Sequence, residues 1–244
     1  MGTTLSIRST VNPINPRHAI AQIVPIYGGM VYNTNVNTWA VIRDAAAGTN
    51  VQGAALGPSV TVPSWVRIAH NGLALPAGVN GYNTLARTFL SFDTSWIVTV
   101  KSLLTIVSAS VDFLCSGVVN QFTPTPNAGV VLQGASGFAS VGPYVAADYP
   151  DADGNSLSDP LPYTSIVADG ITWNSISVLV SNATALANFM SNLSIDGITR
   201  FAIRSEFDAG NAPAPAFFDG IAHNYQVSIV GARLSINFTD ASSP

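Results

Sequence analysis

Between Arg87 and Cys115 the chain reads RTFLSFDTSWIVTVKSLLTIVSASVDFLC, two β-type runs on either side of a short polar break. β-branched and aromatic side chains pack well on a pleated surface, so such runs favour extended backbone. The same pattern recurs from Met30 onward. Thr38 to Asp44 and Ser59 to Ile68 are strand candidates bounded by Gly, Asn or Pro, and Val130 to Leu132 is a shorter one. Ile171 to Val180, Ile198 to Asp208 and Tyr225 to Phe238 complete the set, the last with a bulge or bend expected at Gly231. After that glycine, Leu234, Ile236 and Phe238 alternate with Arg233, Ser235 and Asn237, as a strand with one buried face requires. A single segment breaks the rule: Asn182 to Leu193 places Leu186, Phe189, Met190 and Leu193 at i, i+3, i+4 and i+7, the apolar face of a short helix.

Two further stretches stand apart from the strands. Residues 134 to 165 carry Gly134, Gly137, Gly142, Pro143, Pro150, Gly154, Pro160 and Pro162, the marks of a long loop excursion, and long loops in compact domains usually make contacts or carry sites. Residues 1 to 24, with Pro13 and Pro16 and ending before Pro25, read as an extended arm, either a frayed terminus or a segment that docks onto a neighbouring subunit. A chain of 244 residues can hold two small domains or one elaborated β domain; the second reading is preferred, with a single domain over residues 25 to 244.

The β runs carry a resemblance. Arg87-Thr88-Phe89-Leu90-Ser91-Phe92-Asp93-Thr94-Ser95, followed by Thr105 to Phe113, resembles the core signature of the DNRLRE-type β-sandwich domains. Those domains occur in surface adhesins, carbohydrate-binding modules and phage structural proteins. Trp39-Ala40-Val41-Ile42-Arg43-Asp44-Ala45 is similar to the early strand of that family. The closing order is similar too: a Trp-bearing strand at Trp173, the 182–193 helix, Thr199 to Ser205, Asp208 and Leu234 to Phe238. The resemblance implies an all-β, antiparallel jelly-roll β-sandwich, here with the extended N-terminal arm and one short helix, and a structural role for Asp93 as the cap of the turn after its strand.

Composition narrows the function. Only 9% of residues are charged, against about 25% in ordinary soluble domains. Lys101 is the one lysine and Glu206 the one glutamate, so the surface must be covered largely by Ser, Thr, Asn, Gly and backbone. Such a surface fits a member of an assembly or a virion better than a cytoplasmic enzyme. Arg8, Arg17, Arg43, Arg67, Arg87, Arg200, Arg204 and Arg233 are scattered and the net charge is −4, so no basic footprint for direct nucleic-acid contact exists. Neither a signal-peptide pattern nor an apolar run of membrane-spanning length is seen, which fits a protein made in a host cytoplasm and incorporated into a phage particle. Cys115, the lone cysteine, permits no intrachain disulfide or thiolate zinc cluster and sits in phase with Val107, Ala109, Val111 and Phe113 as a buried core residue.

Chemistry-bearing patterns are few. Asp151, Asp153, Asn155 and Asp159 offer the alternate oxygen ligands that a structural Ca²⁺ takes, although the glycine is at the fourth place and no bidentate Glu follows at the twelfth; a solvated turn explains the same residues. No cofactor is required. His18, His70 and His223 lie far apart, no Gly-x-Ser-x-Gly elbow exists, and Glu206 has no paired carboxylate nearby, so no enzyme is expected. Of the four tryptophans, Trp39, Trp65 and Trp173 lie within strand patterns and read as core, whereas Trp96 follows a strand end and is the first choice for a ligand contact. The expected role is therefore a non-enzymatic virion structural protein, a head decoration, fibre or tail-associated component, that contacts its own copies and other virion proteins. The alternative is a carbohydrate-binding or adhesin module, extracellular or on a cell surface, that recognises a host-surface glycan through an exposed Trp and an ordered 148–162 loop.

Overall fold

The computed structural model describes residues 18–34, 38–55, 64–75, 79–100, 104–121, 129–134, 144–149, 156–193, 197–209 and 223–240. Among the described residues eleven strands pair in one antiparallel, nearly closed sheet: β1 His18–Ile23, β2 Pro25–Asn33, β3 Asn50–Ala55, β4 Ser64–Leu75, β5 Val79–Asp93, β6 Leu104–Asn120, β7 Gly129–Gly134, β8 Leu161–Pro162, β9 Trp173–Ser177, β10 Ile198–Ser205 and β11 His223–Asp240. The chain is thus of the expected all-β class.

Two long strands create the sandwich. Along one edge β5 pairs with β2 through residues 85–92; along the other it pairs first with β4 and then, from Thr88, with β10. In the same way β11 holds β6 on one edge, while β4 and then β1 take the other. β4 therefore ties the two long strands together at one end. Beyond it they part into two layers, β9-β6-β11-β1 and β3-β2-β5-β10-β7-β8. Neighbours that are distant in sequence are what jelly-roll sandwiches use to close their sheets.

Between the layers lies one contiguous core. β6 contributes Val111 and Phe113, β11 contributes Leu234 and Ile236, and β9 contributes Ile176. From the other layer come Leu90, Phe92, Val130, Leu132, Phe201 and Ile203. β9 and β11 alternate buried with exposed or half-buried residues along most of their length, as a layer with one wet face must, whereas β7 is buried at every position. The second layer is covered on its outer face as well: Tyr144 packs against Phe89 with ring centroids 5.9 Å apart, and the Tyr149 hydroxyl donates to the Ile42 carbonyl at 2.7 Å.

Several sequence expectations change. Trp39–Arg43 is a helix, α1, and not a strand. Thr38 caps it by accepting from the Val41 N–H, and Trp39 and Ile42, three apart, bury one side. Ser95–Val100 forms a second helix, α2, after Asp93 Oδ1 accepts from the Ser95 N–H at 3.1 Å and from its hydroxyl at 2.7 Å. The expected helix is α3, Ala183–Asn192, capped by Asn182; a fourth, α4, Glu206–Ala209, ends the run that composition assigned to strand. The described residues thus hold four short α-helices, and two single 3₁₀ turns at Ala146–Asp148 and Tyr163–Ser165, rather than one helix. Of the expected arm, His18–Ile23 is strand β1 of the chain's own sheet, with Ala21 and Ile23 buried; residues 1–17 lie outside the described residues. Gly197, between α3 and β10, has φ +79°, a conformation an L side chain rarely adopts, and its carbonyl accepts from the Thr94 N–H at 2.8 Å.

Candidate functional site

On the wet face of β9-β6-β11 the register lays three strands side by side: Ser177, Ser175 and Trp173 opposite Ser110, Asp112 and Leu114, which in turn face Ser235, Arg233 and Gly231. Period-two alternation sends Val111, Phe113, Ile176 and Leu234 inward, so these small polar residues must point out. Asp112 sits at the centre. Its Oδ1 accepts from Ser110 at 2.8 Å and Ser175 at 2.6 Å, and its Oδ2 accepts from Arg233 Nε at 2.8 Å and Ser235 at 2.7 Å. Burial pushes the Asp112 carboxyl up, but these four hydrogen bonds outweigh it and hold the group below the usual carboxylate range.

Arg233 is held from two directions. Nε is pinned to Asp112, and the guanidinium carbon lies 4.2 Å from the ring centroid of Trp173, within cation–π range. Among the described residues no acceptor meets its Nη1 and Nη2. Trp173 is 38% exposed despite this cover, and Ile171, just before the strand, is 80% exposed. The saturated carboxylate of Asp112 has no lone pair left to act as a base or nucleophile. The face presents guanidinium donors, hydroxyl oxygens and a partly exposed aromatic ring side by side.

A second polar cluster is internal. On the covered outer face of β5 and β10, Asp208 accepts from Arg87 Nε at 2.8 Å, Arg87 Nη2 at 2.7 Å and Arg204 Nε at 2.7 Å. Arg87 also donates to the carbonyls of Tyr149 and Arg43 and lies over the Tyr149 ring, while Arg204 Nη1 donates to Gln133 Oε1 at 2.7 Å. Burial alone would raise the Asp208 carboxyl, yet Arg87 and Arg204 hold it well below the usual range. This cluster ties α1, β5, β7, β10 and α4 together and is sealed from solvent, with Asp208 3% exposed.

Linkage fixes the sign of its pH dependence. The folded-state pKa of Asp208 lies below the value of about 3.9 for an unfolded aspartate, so its contribution is complete above that pH and is lost as pH falls towards the folded value. Asp112 acts in the same direction. Burial raises Asp148 and Glu206, whose protonation works weakly the other way. Denaturant unfolding followed from pH 7 to pH 2 is expected to show stability falling below about pH 4. Asp208→Asn should flatten that limb, and an unchanged slope in the variant would remove Asp208 from the account.

The residues singled out by sequence are dispersed. Trp96 is half-buried on α2 and packs on Phe238, ring centroids 6.1 Å apart, so the more exposed indole is Trp173 and not Trp96; Trp39 is buried, as expected. Of the suggested Ca²⁺ ligands, Asp151, Asp153 and Asn155 lie outside the described residues, and Asp159 is exposed. Among the described residues no group of three or more His, Cys, Asp or Glu gathers in a metal-binding arrangement. The register sets His70 opposite His223 on β4 and β11, while His18 pairs with Thr239. Cys115 is fully buried, burial raises its thiol pKa, and its Sγ–H donates to the Gly117 carbonyl. Asp112, Arg233 and Trp173 were not chosen as a site by sequence reasoning. The signal was phase: Trp173 and Ile176 are three apart and cannot both face inward on one strand.

No protein-family model matches the chain, and no curated protein or solved structure matches it at a significant level.

Proposed function

We propose that this chain is a non-enzymatic structural protein of a phage particle, a head decoration, fibre or tail-associated component, attached through its N-terminal segment and displaying its β-sandwich. The observation that carries the reading is the edge at β1. Residues 1–17 lead into a strand that pairs with β11 on one side and, among the described residues, with no strand on the other. Ile20 and Val24 are exposed there, at 45% and 43%. An open edge with apolar side chains is a template for pairing with another chain. The charge-poor composition and the resemblance to DNRLRE-type sandwiches support the same role, as does the use of Asp112 and Asp208 in internal hydrogen bonds. No helix among the described residues is long and apolar enough to cross a membrane.

Size-exclusion chromatography with light scattering on the full chain and on a deletion of residues 1–17 tests the proposal. The deletion leaves β1 in the sheet. A symmetric oligomer or larger assembly that dissociates on deletion is expected. Two monomers at high concentration would sink the reading and favour a second one, a carbohydrate-binding module for host-surface recognition. That second reading is favoured by the Trp173–Arg233 face, which lies at the β9 end of the layer, across β6 and β11 from β1.

A further inference from the structure

We propose that Trp173, Arg233, Ser175 and Ser235 form a binding site for a neutral hexose, two adjacent hydroxyls accepting from the Nη groups of Arg233 and its C–H surface resting against the part of the indole that the guanidinium leaves uncovered. The inference rests on the second reading, glycan recognition, and assigns it a site and a ligand class.

Hydrogen-bond inventory selects a polyol. The hydroxyl hydrogens of Ser175 and Ser235 are committed to Asp112, so both oxygens can act only as acceptors. Arg233 keeps two terminal nitrogens that can act only as donors, and the Trp173 N–H has no acceptor among the described residues. A surface with separate donors and acceptors complements neighbouring hydroxyls, each of which both donates and accepts. The planar guanidinium presents its nitrogens as a rigid fork, suited to two oxygens on adjacent carbons. Arg233 covers one face of the indole, and the exposed remainder of Trp173 offers apolar surface to the C–H groups of a pyranose whose hydroxyls meet the guanidinium edge.

Charge selects a neutral ligand. Asp112 and Arg233 form an ion pair at 2.8 Å with side-chain exposures of 4% and 27%, so the face carries no net charge. A carboxylate or sulfate would lose hydration without meeting an uncompensated cation, which is costly. A neutral sugar loses less. The same carboxylate positions the site: three hydrogen bonds to Asp112 fix Arg233, Ser175 and Ser235 before any ligand arrives, so little ordering remains for binding.

The test uses the full chain on an array of neutral hexose glycans (glucans, mannans and galactans) beside sialylated and uronate-containing ones. Titration calorimetry of neutral hits then follows for wild type, Trp173→Ala and Arg233→Lys, with circular dichroism as the folding check. Arg233→Lys keeps the charge beside Asp112 but loses the fork. Neutral-hexose binding that weakens about tenfold or more in each folded variant is expected, the scale of an interface hot spot. Neutral-glycan binding unaffected by either change would refute this site while leaving glycan recognition standing. Binding confined to sialylated or uronate glycans would overturn the neutral-ligand assignment, and no binding to any glycan would overturn both the site and the reading beneath it.

Discussion

Asp208→Ala should lower the unfolding free energy by about 3–5 kcal/mol, the usual cost of removing one partner from a buried ion pair. Two guanidiniums depend on this carboxylate, Arg87 through both oxygens and Arg204 through one. Both arginines are nearly sealed, with side-chain exposures of 2% and 8%. Once the carboxylate is gone, Arg87 keeps the carbonyls of Tyr149 and Arg43 and the face of the Tyr149 ring, and Arg204 keeps Gln133; none of these neutralises charge. Two like charges would then share a dry space. Since domains are stable by only about 5–15 kcal/mol, the loss removes a large part of the total. Urea unfolding at pH 7 measures it. Asp208→Asn, which keeps the shape and one acceptor oxygen, should fall between wild type and alanine. A loss below about 1 kcal/mol in the alanine variant would mean that water or rearrangement compensates both arginines.

Nothing in the sequence announces this cluster, because its members are linked only by the fold. Arg87 and Asp208 are 121 residues apart, and Arg87 lies in a run of apolar residues on β5. The strands themselves were readable wherever one face is wet and the other dry. Along β11 Leu234 and Ile236 alternate with Arg233 and Ser235, and along β9 Ile176 alternates with Ser175 and Ser177. The alternation also held the information that Trp173 faces outward; bulk hydrophobicity of the indole suggested the opposite, and the phase was the better guide. The short helices were harder. α1 has Val41 and Ile42, residues that favour strands, and its helical state depends on the Thr38 cap and on burial of Trp39 beside Tyr82, with ring centroids 5.2 Å apart. A five-residue helix has no periodic signal of its own, and tertiary packing decides it. β1 was hidden for a related reason: its partner β11 is at the other end of the chain, so pairing rather than composition orders it.

Phe201→Ala should cost about 3–5 kcal/mol, as truncation of a fully buried aromatic does when the surrounding core cannot close on the space. The ring is 0% exposed and lies in a row, 6.0 Å from Phe92 and 5.8 Å from Phe189, on which it stacks at 9°. In the sheet its backbone stands opposite Leu90 on β5 and Gly134 on β7, so neither neighbouring strand can move in without breaking its own ladder. The helix is the element free to respond. α3 presents Phe189 to this ring, so removing it takes away a main anchor of Ala183–Asn192 as well as core volume. The expected result is therefore twofold: a large loss of global stability by denaturant unfolding, and amide exchange in α3 that quickens more than in β10, because the helix opens before the sheet does. Phe201→Leu, which keeps most of the volume, should lose markedly less on both measures. Equal protection of α3 in wild type and Phe201→Ala would show that the helix is held from elsewhere. A total loss under about 1.5 kcal/mol would show that Phe92 and Phe189 collapse together across the gap, leaving the sandwich more plastic than its ladders suggest.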